Sequence, residues 1–336
     1  MLFLTGLASF GMSCAFIFPG QGSQAVGMGK ALADGFAAAR SVFAEVDETL
    51  GERLTRIIWE GPPEELMLTE NAQPALMAVS LAVMRVLEAE AGLQLGRDAL
   101  FVAGHSLGEY SGLAAAGALS ISDAARLVRM RGRAMQKAVP FGTGSMAALL
   151  GLDFEQAVTV AAQASEDQIC QAANDNGGGQ VVISGHRTAI ERAIEIAKAK
   201  GARRAIMLPV SAPFHCSLMQ PAADLMAEAL AATAIRAPAV PVVANFSARP
   251  ITDPGEIARA LVAQVTGTVR WRESITCMVA AGVDTFYEAG PGKVLSGLVK
   301  RSAEGAKGIP IGTPQDVASF VVGRARASCR VDRHRE

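Results

Sequence analysis

A serine between two glycines is the strongest chemical signal in this sequence. Ser106 stands in the run Gly104-His-Ser-Leu-Gly108, which follows the apolar segment 99–103 and precedes a helix-compatible stretch. This G-x-S-x-G pattern at a strand-to-helix turn is typical of a nucleophile elbow, in which small flanking residues leave the hydroxyl clear. Because a pattern with three fixed positions also occurs by chance, the hypothesis that Ser106 is a nucleophile needs support from other residues.

Arg131 is the second candidate, because it lies on the apolar face of a predicted helix. In the segment 122–139, Ser122 suits the N-cap and Asp123 the first turn. The predicted apolar face carries Leu127, Val128, Arg131 and Met135. The opposite, solvated face is predicted to carry Arg126, Arg129, Arg133 and Lys137. A buried guanidinium without an anion is costly, so we expect Arg131 to face an internal carboxylate or a negatively charged substrate.

His215 is the candidate general base, chosen by elimination among the four histidines. His105 adjoins the nucleophile and is predicted to point away from it, His186 lies in a glycine-rich turn, and His334 lies in the charged C-terminal tail. His215 follows the serine along the chain, which is the order expected for this class of site. No carboxylate is an obvious third member, so we expect a Ser–His dyad that is oriented by backbone.

A glycine-rich loop after the apolar segment 15–18 supplies a candidate oxyanion hole. The loop reads Pro19-Gly-Gln-Gly-Ser-Gln24, and such a loop at a strand's end can aim backbone N–H groups at a developing negative charge. The same residues also fit a dinucleotide-binding G-x-G-x-x-A pattern. That alternative is weaker because Pro19 interrupts the turn, and the acidic residues Glu45 and Asp47 fall in a helical pattern.

Eight segments, in the same order along the chain, resemble those of the malonyl-CoA:acyl carrier protein transacylases of bacterial type II fatty acid synthesis. The resemblance runs from about residue 15 to residue 320. The segments are FPGQGSQAVGMG (18–29), NAQPAL (71–76), GHSLGEYSGL (104–113), MRGRAMQ (130–136), QVVISG (180–185), APFHCSLM (212–219), EAGPGKVLSGLVKR (288–301) and IGTP (311–314).

The resemblance implies a role for each candidate residue. Ser106 would be acylated, His215 would be the base, and Arg131 would bind the malonyl carboxylate. The amides of Gln21 and Leu107 would form the oxyanion hole. In this family the residue before the tryptophan of a late V-x-W motif orients the histidine through its backbone carbonyl; here that residue is Arg270, where some members carry glutamine.

The elements around these residues predict an α/β fold. The region 145–210 reads strand, helix, strand, strand, helix, strand, which is a ferredoxin-like βαββαβ unit. The remaining strands and helices alternate, which predicts a parallel sheet covered by helices on both faces. The resemblance implies a hydrolase-like core, here residues 12–140 and 211–320, with the inserted subdomain at 141–210 and the active site in the cleft between them.

Composition limits the functions that need to be considered. The 336 residues include 50% hydrophobic residues and carry a net charge of −1, so a large core is expected and nucleic-acid binding is not. The five cysteines show no metal-ligand spacing and fit reduced thiols in the cytoplasm. The resemblance implies malonyl-CoA and acyl carrier protein as partners, and no cofactor, metal or membrane is expected.

The two ends of the chain depart from the resemblance. Residues 1–18 are apolar and uncharged, but they lack the basic segment of a signal peptide, since the first charged residue is Lys30. Met12 is a plausible start, which would make residues 1–11 an N-terminal extension. The arginine-rich segment 321–336 matches no family motif and is predicted to be disordered.

Three rival functions share parts of this evidence. A serine thioesterase would use Ser106 and His215 but would pass the acyl group to water. A polyketide-pathway malonyl acyltransferase would use the same residues with a different carrier protein. A catalytically silent scaffold that binds the carrier is the third, although every residue needed for the chemistry is present. Phe214, next to the histidine, is predicted to narrow the pocket against branched acyl groups.

Overall fold

The computed structural model describes residues 13–332, in which two sheets of different kinds build the protein. The first sheet contains β1 (Cys14–Phe18), β2 (Phe101–Gly104), β7 (Val242–Val243), β8 (Pro250–Ile251), β9 (Thr285–Ala289) and β10 (Lys307–Ile311). The second contains β3 (Gly144–Leu150), β4 (Cys170–Asp175), β5 (Gln180–His186) and β6 (Arg204–Met207). The extension at 1–11 and residues 333–336 lie outside the described residues.

The helices pack on both faces of the first sheet and on one face of the sheet in the insertion. They are α1 (Lys30–Gly35), α2 (Ala37–Leu50), α3 (Leu54–Glu60), α4 (Pro63–Met67), α5 (Thr69–Ala91), α6 (Leu95–Asp98), α7 (Gly108–Ala115), α8 (Ile121–Lys137), α9 (Phe154–Ser165), α10 (Arg187–Ala199), α11 (Gln220–Ala231), α12 (Pro254–Thr266), α13 (Trp271–Ala280), α14 (Val294–Ser302) and α15 (Pro314–Asp332). A short 3₁₀ helix, Ser217–Met219, precedes α11.

The large sheet has the order β10-β9-β1-β2-β7-β8 and is parallel except for the antiparallel pair β7–β8. All five residues of the central strand β1 are buried, as expected for a strand covered on both faces. Alternate side chains point to opposite faces, so Phe16 and Phe18 join one hydrophobic cluster and Ala15 and Ile17 join the other. The predicted parallel sheet with helices on both faces is confirmed.

The small sheet has the order β4-β5-β3-β6 and is antiparallel. With α9 and α10 it forms a βαββαβ unit around a separate hydrophobic cluster, which confirms the predicted ferredoxin-like insertion. Its regular elements run from Gly144 to Met207. The exact division of the chain at 140/141 and 210/211 stays a prediction.

Helix α5 is the central helix of the large core. Among the residues that the structure describes, it is the one helix that is long and apolar enough to cross a membrane, but 83% of its most apolar window is buried inside the protein. It packs against α2, α7 and α8. Its apolar character is therefore accounted for by burial in the core.

Two local predictions were wrong. The N-cap of α8 is Ser120 and not Ser122, because the Ser120 hydroxyl accepts the amide of Asp123 at 2.9 Å. The segment from residue 321 is not disordered as far as Asp332, because α15 continues through it. Arg324 of that helix donates to the buried Asp98 carboxylate at 2.6 Å, and an ion pair of this kind is not visible in composition.

Candidate active site

The candidate site lies at the carboxyl edge of the large sheet. Strands β1, β2 and β7 are parallel neighbours, so the segments that follow them meet at one edge. These segments are the glycine-rich loop 19–24, the turn 105–107 and the residues after Val243. The crevice beyond the carboxyl ends of parallel strands is where ligands bind in open α/β sheets.

Ser106 occupies the strained turn between β2 and α7. Its φ is 54°, in the left-handed region that non-glycine residues rarely adopt. The turn is also tight: a Cβ at Gly104 would lie 1.9 Å from the Gly108 carbonyl oxygen, so only glycine fits there. Asn245 supports the turn, because its Oδ1 accepts the Ser106 amide at 2.8 Å and its Nδ2 donates to the Gly104 carbonyl at 2.6 Å.

His215 lies against the Ser106 hydroxyl in the orientation that a general base requires. Its Nε2 is 2.8 Å from Ser106 Oγ, and its Nδ1 is 2.9 Å from the backbone carbonyl oxygen of Gln264. A carbonyl can only accept, so Nδ1 carries the proton and Nε2 is free to accept one. Burial, reinforced by the positive charge of Arg131, lowers the pKa of His215 to about 3. The imidazole is therefore neutral near pH 7.

The carbonyl that holds the histidine belongs to Gln264 and not to Arg270, so the expectation about Arg270 was wrong. Gln264 lies in the last turn of α12, where carbonyls have no partner within the helix. Arg270 is instead the N-cap of α13 and pairs with the carboxylate of Glu273. Its side chain makes no hydrogen bond to the histidine.

Arg131 is buried with its guanidinium beside the serine, and only 1% of it is exposed. It donates to Gln73 Oε1 at 2.9 Å, to Gln264 Oε1 at 2.8 Å and to Ser106 Oγ at 3.1 Å. Within residues 13–332 no carboxylate forms an ion pair with it, and its Nε has no hydrogen-bond partner. Of the two partners predicted for this cation, an internal carboxylate and a negatively charged substrate, the structure supplies no directly bonded carboxylate.

The two backbone amides proposed for the oxyanion hole belong to neighbouring segments. Leu107 is the N-cap of α7, and Gln21 lies in the loop after β1. Close packing holds the loop against the turn, because a Cβ at Gly20 would lie 2.6 Å from the His105 carbonyl oxygen. In the described part of the chain neither amide donates a hydrogen bond to a protein group, so both are available to a bound oxygen.

The other arginines of α8 divide differently from the prediction. Arg129 was expected on a solvated face but is buried, with 5% exposed. It pairs with the carboxylate of Glu52 and donates to Asn71 Oδ1 at 2.5 Å. The residues next to Arg129 in the sequence do not indicate its burial, because its partner Glu52 lies in the connection between α2 and α3.

The predicted site residues line one cavity of about 510 Å³ between the two sheets. The large core contributes Gln21, Ser106, Leu107, Arg131 and His215 to its wall, and the insertion contributes Met146, Asn174, Asn176 and Val182. His105 also lines it, and its Nε2 lies 2.9 Å from Asn176 Oδ1, away from the serine hydroxyl as predicted. The structure thus brings all five predicted site residues to one cleft.

Sequence reasoning missed the amide side chains around them. Gln73 and Gln264 both bond Arg131, and Asn245 holds the Ser106 turn. Gln264 could have been found by the signal that revealed Arg131, because it shares a buried helix face with Ile257 and Leu261. Gln73 stands within the quoted segment 71–76, without an assigned role.

Comparison with known proteins identifies the family. The model of the acyl transferase domain matches residues 15–319. The malonyl CoA-acyl carrier protein transacylase of Bacillus subtilis is 49% identical over 304 residues, which cover 90% of this chain and 94% of that protein.

Two solved structures have the same fold over almost the whole chain. The acyl-carrier-protein-S-malonyltransferase from Bartonella henselae is 54% identical with a TM-score of 0.91, covering 94% of this chain and 100% of that one. A malonyl-transacylase in complex with its type II PKS acyl-carrier protein is 41% identical with a TM-score of 0.89, covering 92% of this chain and 99% of that one. This chain belongs to the acyl transferase domain family, among the malonyl-CoA:acyl carrier protein transacylases.

Proposed function

We propose that this protein transfers the malonyl group of malonyl-CoA to the phosphopantetheine thiol of acyl carrier protein, by way of a malonyl ester on Ser106. The observation that carries the proposal is a buried arginine, without a directly bonded carboxylate, whose Nη2 lies 3.1 Å from the candidate nucleophile. An acyl group that ends in a carboxylate would bring the missing anion to that position. The activity would supply malonyl units for fatty acid elongation.

In the first half of the reaction, His215 Nε2 would take the proton of the Ser106 hydroxyl as its oxygen attacks the thioester carbonyl. The short distance between these two atoms, 2.8 Å, suits that transfer. The carbonyl oxygen becomes an oxyanion, which the amides of Gln21 and Leu107 would stabilise. Collapse of this intermediate breaks the carbon–sulfur bond, and the histidine returns the proton to the departing CoA thiolate.

The second half repeats these steps with a different thiol. The phosphopantetheine thiol of the carrier would enter the same cavity, lose its proton to His215 and attack the malonyl-serine ester. The resulting tetrahedral intermediate breaks its bond to Ser106 Oγ, His215 returns the proton to that oxygen, and malonyl remains on the carrier. One site serves both thiols in turn, so ping-pong kinetics follow.

The orientation of the base would depend on a carbonyl and not on a carboxylate. A buried carboxylate beside His215 would favour the imidazolium, whereas the neutral Gln264 carbonyl fixes the tautomer without adding charge. The positive charge of Arg131 opposes the imidazolium further. This supports a Ser–His dyad in which Arg131 is reserved for the substrate.

A polyketide-pathway malonyl acyltransferase is the alternative that a specific observation favours. The transacylase in the solved complex with a type II PKS acyl-carrier protein is 41% identical to this chain, and the two reactions differ only in the carrier.

We propose the cytoplasm as the place of action, because the four cysteines within the described residues are unpaired thiols.

The decisive experiment mixes the purified protein with malonyl-CoA alone and records the intact mass. We expect one malonyl adduct that is absent in Ser106→Ala and is discharged onto holo acyl carrier protein. The matched control is Ser111→Ala, which alters a buried serine on the same helix α7 away from the cavity and should still be loaded. An adduct that is lost only to water would favour a thioesterase. No adduct in folded protein would favour a silent scaffold.

A further inference from the structure

One buried carboxyl group beside the candidate site has no part in the mechanism described above. Glu109 lies in the first turn of α7, three residues after Ser106, and 1% of it is exposed. Its Oε2 accepts the backbone N–H of Asn245 at 3.0 Å and the side-chain amide Nε2 of Gln264 at 2.9 Å. Both of these residues also bond Ser106 or Arg131, so the carboxyl is connected to the site on two sides.

Gln264 links this carboxyl to the cation of the site through a single side-chain amide. Its Oε1 accepts Arg131 at 2.8 Å, while its Nε2 donates to Glu109 at 2.9 Å and to the Ser106 carbonyl at 3.0 Å. The amide dipole therefore has its oxygen toward the positive group and its nitrogen toward the negative group. Glu109 is thus an acidic group bonded into the Arg131 network, at the distance of one intervening amide.

Of Glu109, Tyr110 and His215, the three titratable groups compared around Arg131, Glu109 is the one whose pKa lies near 7. Burial raises its pKa to about 7, against the hydrogen bonds from Asn245 and Gln264 and the charge of Arg131, which lower it. Burial raises the pKa of Tyr110 to about 12 and lowers that of His215 to about 3. Around pH 7–8 Tyr110 and His215 therefore both stay neutral, and Arg131 stays charged.

We propose that Glu109 is the internal counter-charge of Arg131 and that it is neutralised by a proton from water when the carboxylate of the substrate's acyl group binds. This proposal rests on the proposed function, since the incoming anion is the malonyl carboxylate. If both stayed ionised, the Glu109 and malonyl carboxylates would share one buried cation. Protonating Glu109 removes the free-energy cost of their mutual repulsion. An acyl group without a carboxylate leaves the charge of Arg131 unchanged and needs no proton. The site would therefore couple proton uptake to selection of a charged acyl group.

Calorimetry of binding tests the proton directly, without turnover. Malonyl-CoA is titrated into Ser106→Ala protein at pH 8 in two buffers with different ionisation enthalpies. We expect close to one proton taken up per malonyl-CoA bound, and about none for acetyl-CoA. Binding of malonyl-CoA without proton uptake overturns the proposal but leaves the proposed function intact. Failure of malonyl-CoA to bind overturns both.

The pH profile of the active enzyme assigns the proton to Glu109. With wild-type protein, KM for malonyl-CoA should rise about tenfold per pH unit above the pKa of Glu109, because ionised Glu109 competes for the cation. In Glu109→Gln, KM should be lower at pH 8.5 and independent of pH, while KM for acetyl-CoA is flat in both proteins. A purely structural role would instead lower kcat for both substrates and leave the slope of the malonyl profile unchanged, which overturns the proposal.

Glu288→Gln is the matched control. Glu288 is also fully buried and accepts two backbone amides, those of Leu295 and Ser296, but it is not bonded to the Arg131 network. It should keep the pH dependence of the wild-type KM. If Glu109→Gln does not fold, binding of malonyl-CoA to Ser106→Ala protein without proton uptake still overturns the proposal, because there Glu109 is unaltered.

Discussion

Two arginines on α8, two residues apart, are both buried but have opposite electrostatic surroundings. On the outer side of the helix, Arg129 pairs with the Glu52 carboxylate and is neutralised within the protein. On the cleft side, Arg131 donates to two glutamine oxygens and the Ser106 hydroxyl, and within residues 13–332 no carboxylate forms an ion pair with it. Burial of a cation therefore does not by itself indicate a binding site; the groups bonded to the cation do.

The same difference explains why the cleft needs so many amide side chains. Gln73 and Gln264 satisfy the guanidinium N–H groups without cancelling their charge, since an amide oxygen is a neutral acceptor. A directly bonded carboxylate would hold Arg131 just as firmly but would oppose a negatively charged substrate. The cleft thus keeps a cation oriented and still attractive to an anion, because the acidic group of its network, Glu109, is one amide away and not directly bonded to it.

The largest effect is expected from removing the cleft cation. Arg131→Ala should slow malonyl loading of Ser106 by about 10²–10⁴-fold, because a buried, hydrogen-bonded charge pair lost on one side costs about 3–5 kcal/mol. Loading from acetyl-CoA should be retained or increased, since that acyl group has no carboxylate. The measurement is the rate of adduct formation by intact mass with each CoA ester. Equal loss with both esters would refute the carboxylate role of Arg131.

The second effect concerns the pH dependence that Arg131 helps to impose on His215. A histidine of ordinary pKa would be about 97% protonated at pH 5 and the rate would fall by about 30-fold. Because burial and Arg131 lower the pKa of His215 to about 3, acetyl loading should change less than about twofold between pH 5 and pH 8.

The lowered pKa of His215 also makes the free energy of unfolding depend on pH. Between its ordinary pKa near 6.5 and about 3, the unfolded chain binds a proton at this position that the native state does not. This group therefore lowers the free energy of unfolding as the pH falls through that range.

The activity prediction has a clear contrary outcome. Acetyl loading that drops tenfold per pH unit below pH 6.5 in folded protein would contradict the neutral imidazole.

The fold was largely predictable because its elements leave strong local patterns. Continuous apolar runs marked the buried strand β1 and the strand before Ser106, and the alternation of elements marked the insertion. The C-terminal part of α15 was not predictable, because its attachment depends on contacts such as that of Arg324 with Asp98, 226 residues away along the chain. Local composition contains no trace of such a pair.

The site was predictable where the chemistry selects rare residue types. A serine in a glycine turn, one of only four histidines and an arginine on an apolar face each stand out. Asn245 and Gln264 do not, because amides are common and their partners lie 139 and 158 residues away. The backbone carbonyl that holds His215 could not be assigned correctly from a motif, since it depends on where α12 ends.

A third, smaller effect asks whether shape adds to charge on the cleft side. Phe214 lines the cavity next to His215, so Phe214→Ala should make room for a branch on the acyl chain. We expect loading of methylmalonyl-CoA relative to malonyl-CoA to rise about tenfold, since one methyl group in a pocket is worth about 1–3 kcal/mol. Wild-type protein that already loads both esters at the same rate would show that Phe214 sets no such limit.

The smallest effect on activity is expected on the outer side of α8, where the other arginine lies. Arg129→Met keeps the apolar stem but removes the pair with Glu52 and the bond to Asn71. Because 40% of the Glu52 side chain is exposed, the abandoned carboxylate can be solvated. The free energy of unfolding should therefore fall by about 1–3 kcal/mol, measured by urea denaturation.

Activity should separate the two arginines even where stability does not. In Arg129→Met the ratio of malonyl to acetyl loading should stay within about twofold of wild type, because the neutralised pair contributes little field to the cleft. Adding Glu52→Gln to Arg129→Met should cost less than the sum of the two single changes, as expected for residues that bond each other. A malonyl-specific loss in Arg129→Met would mean that the outer cation also acts on the substrate, and that internal pairing does not distinguish a structural arginine from a binding one.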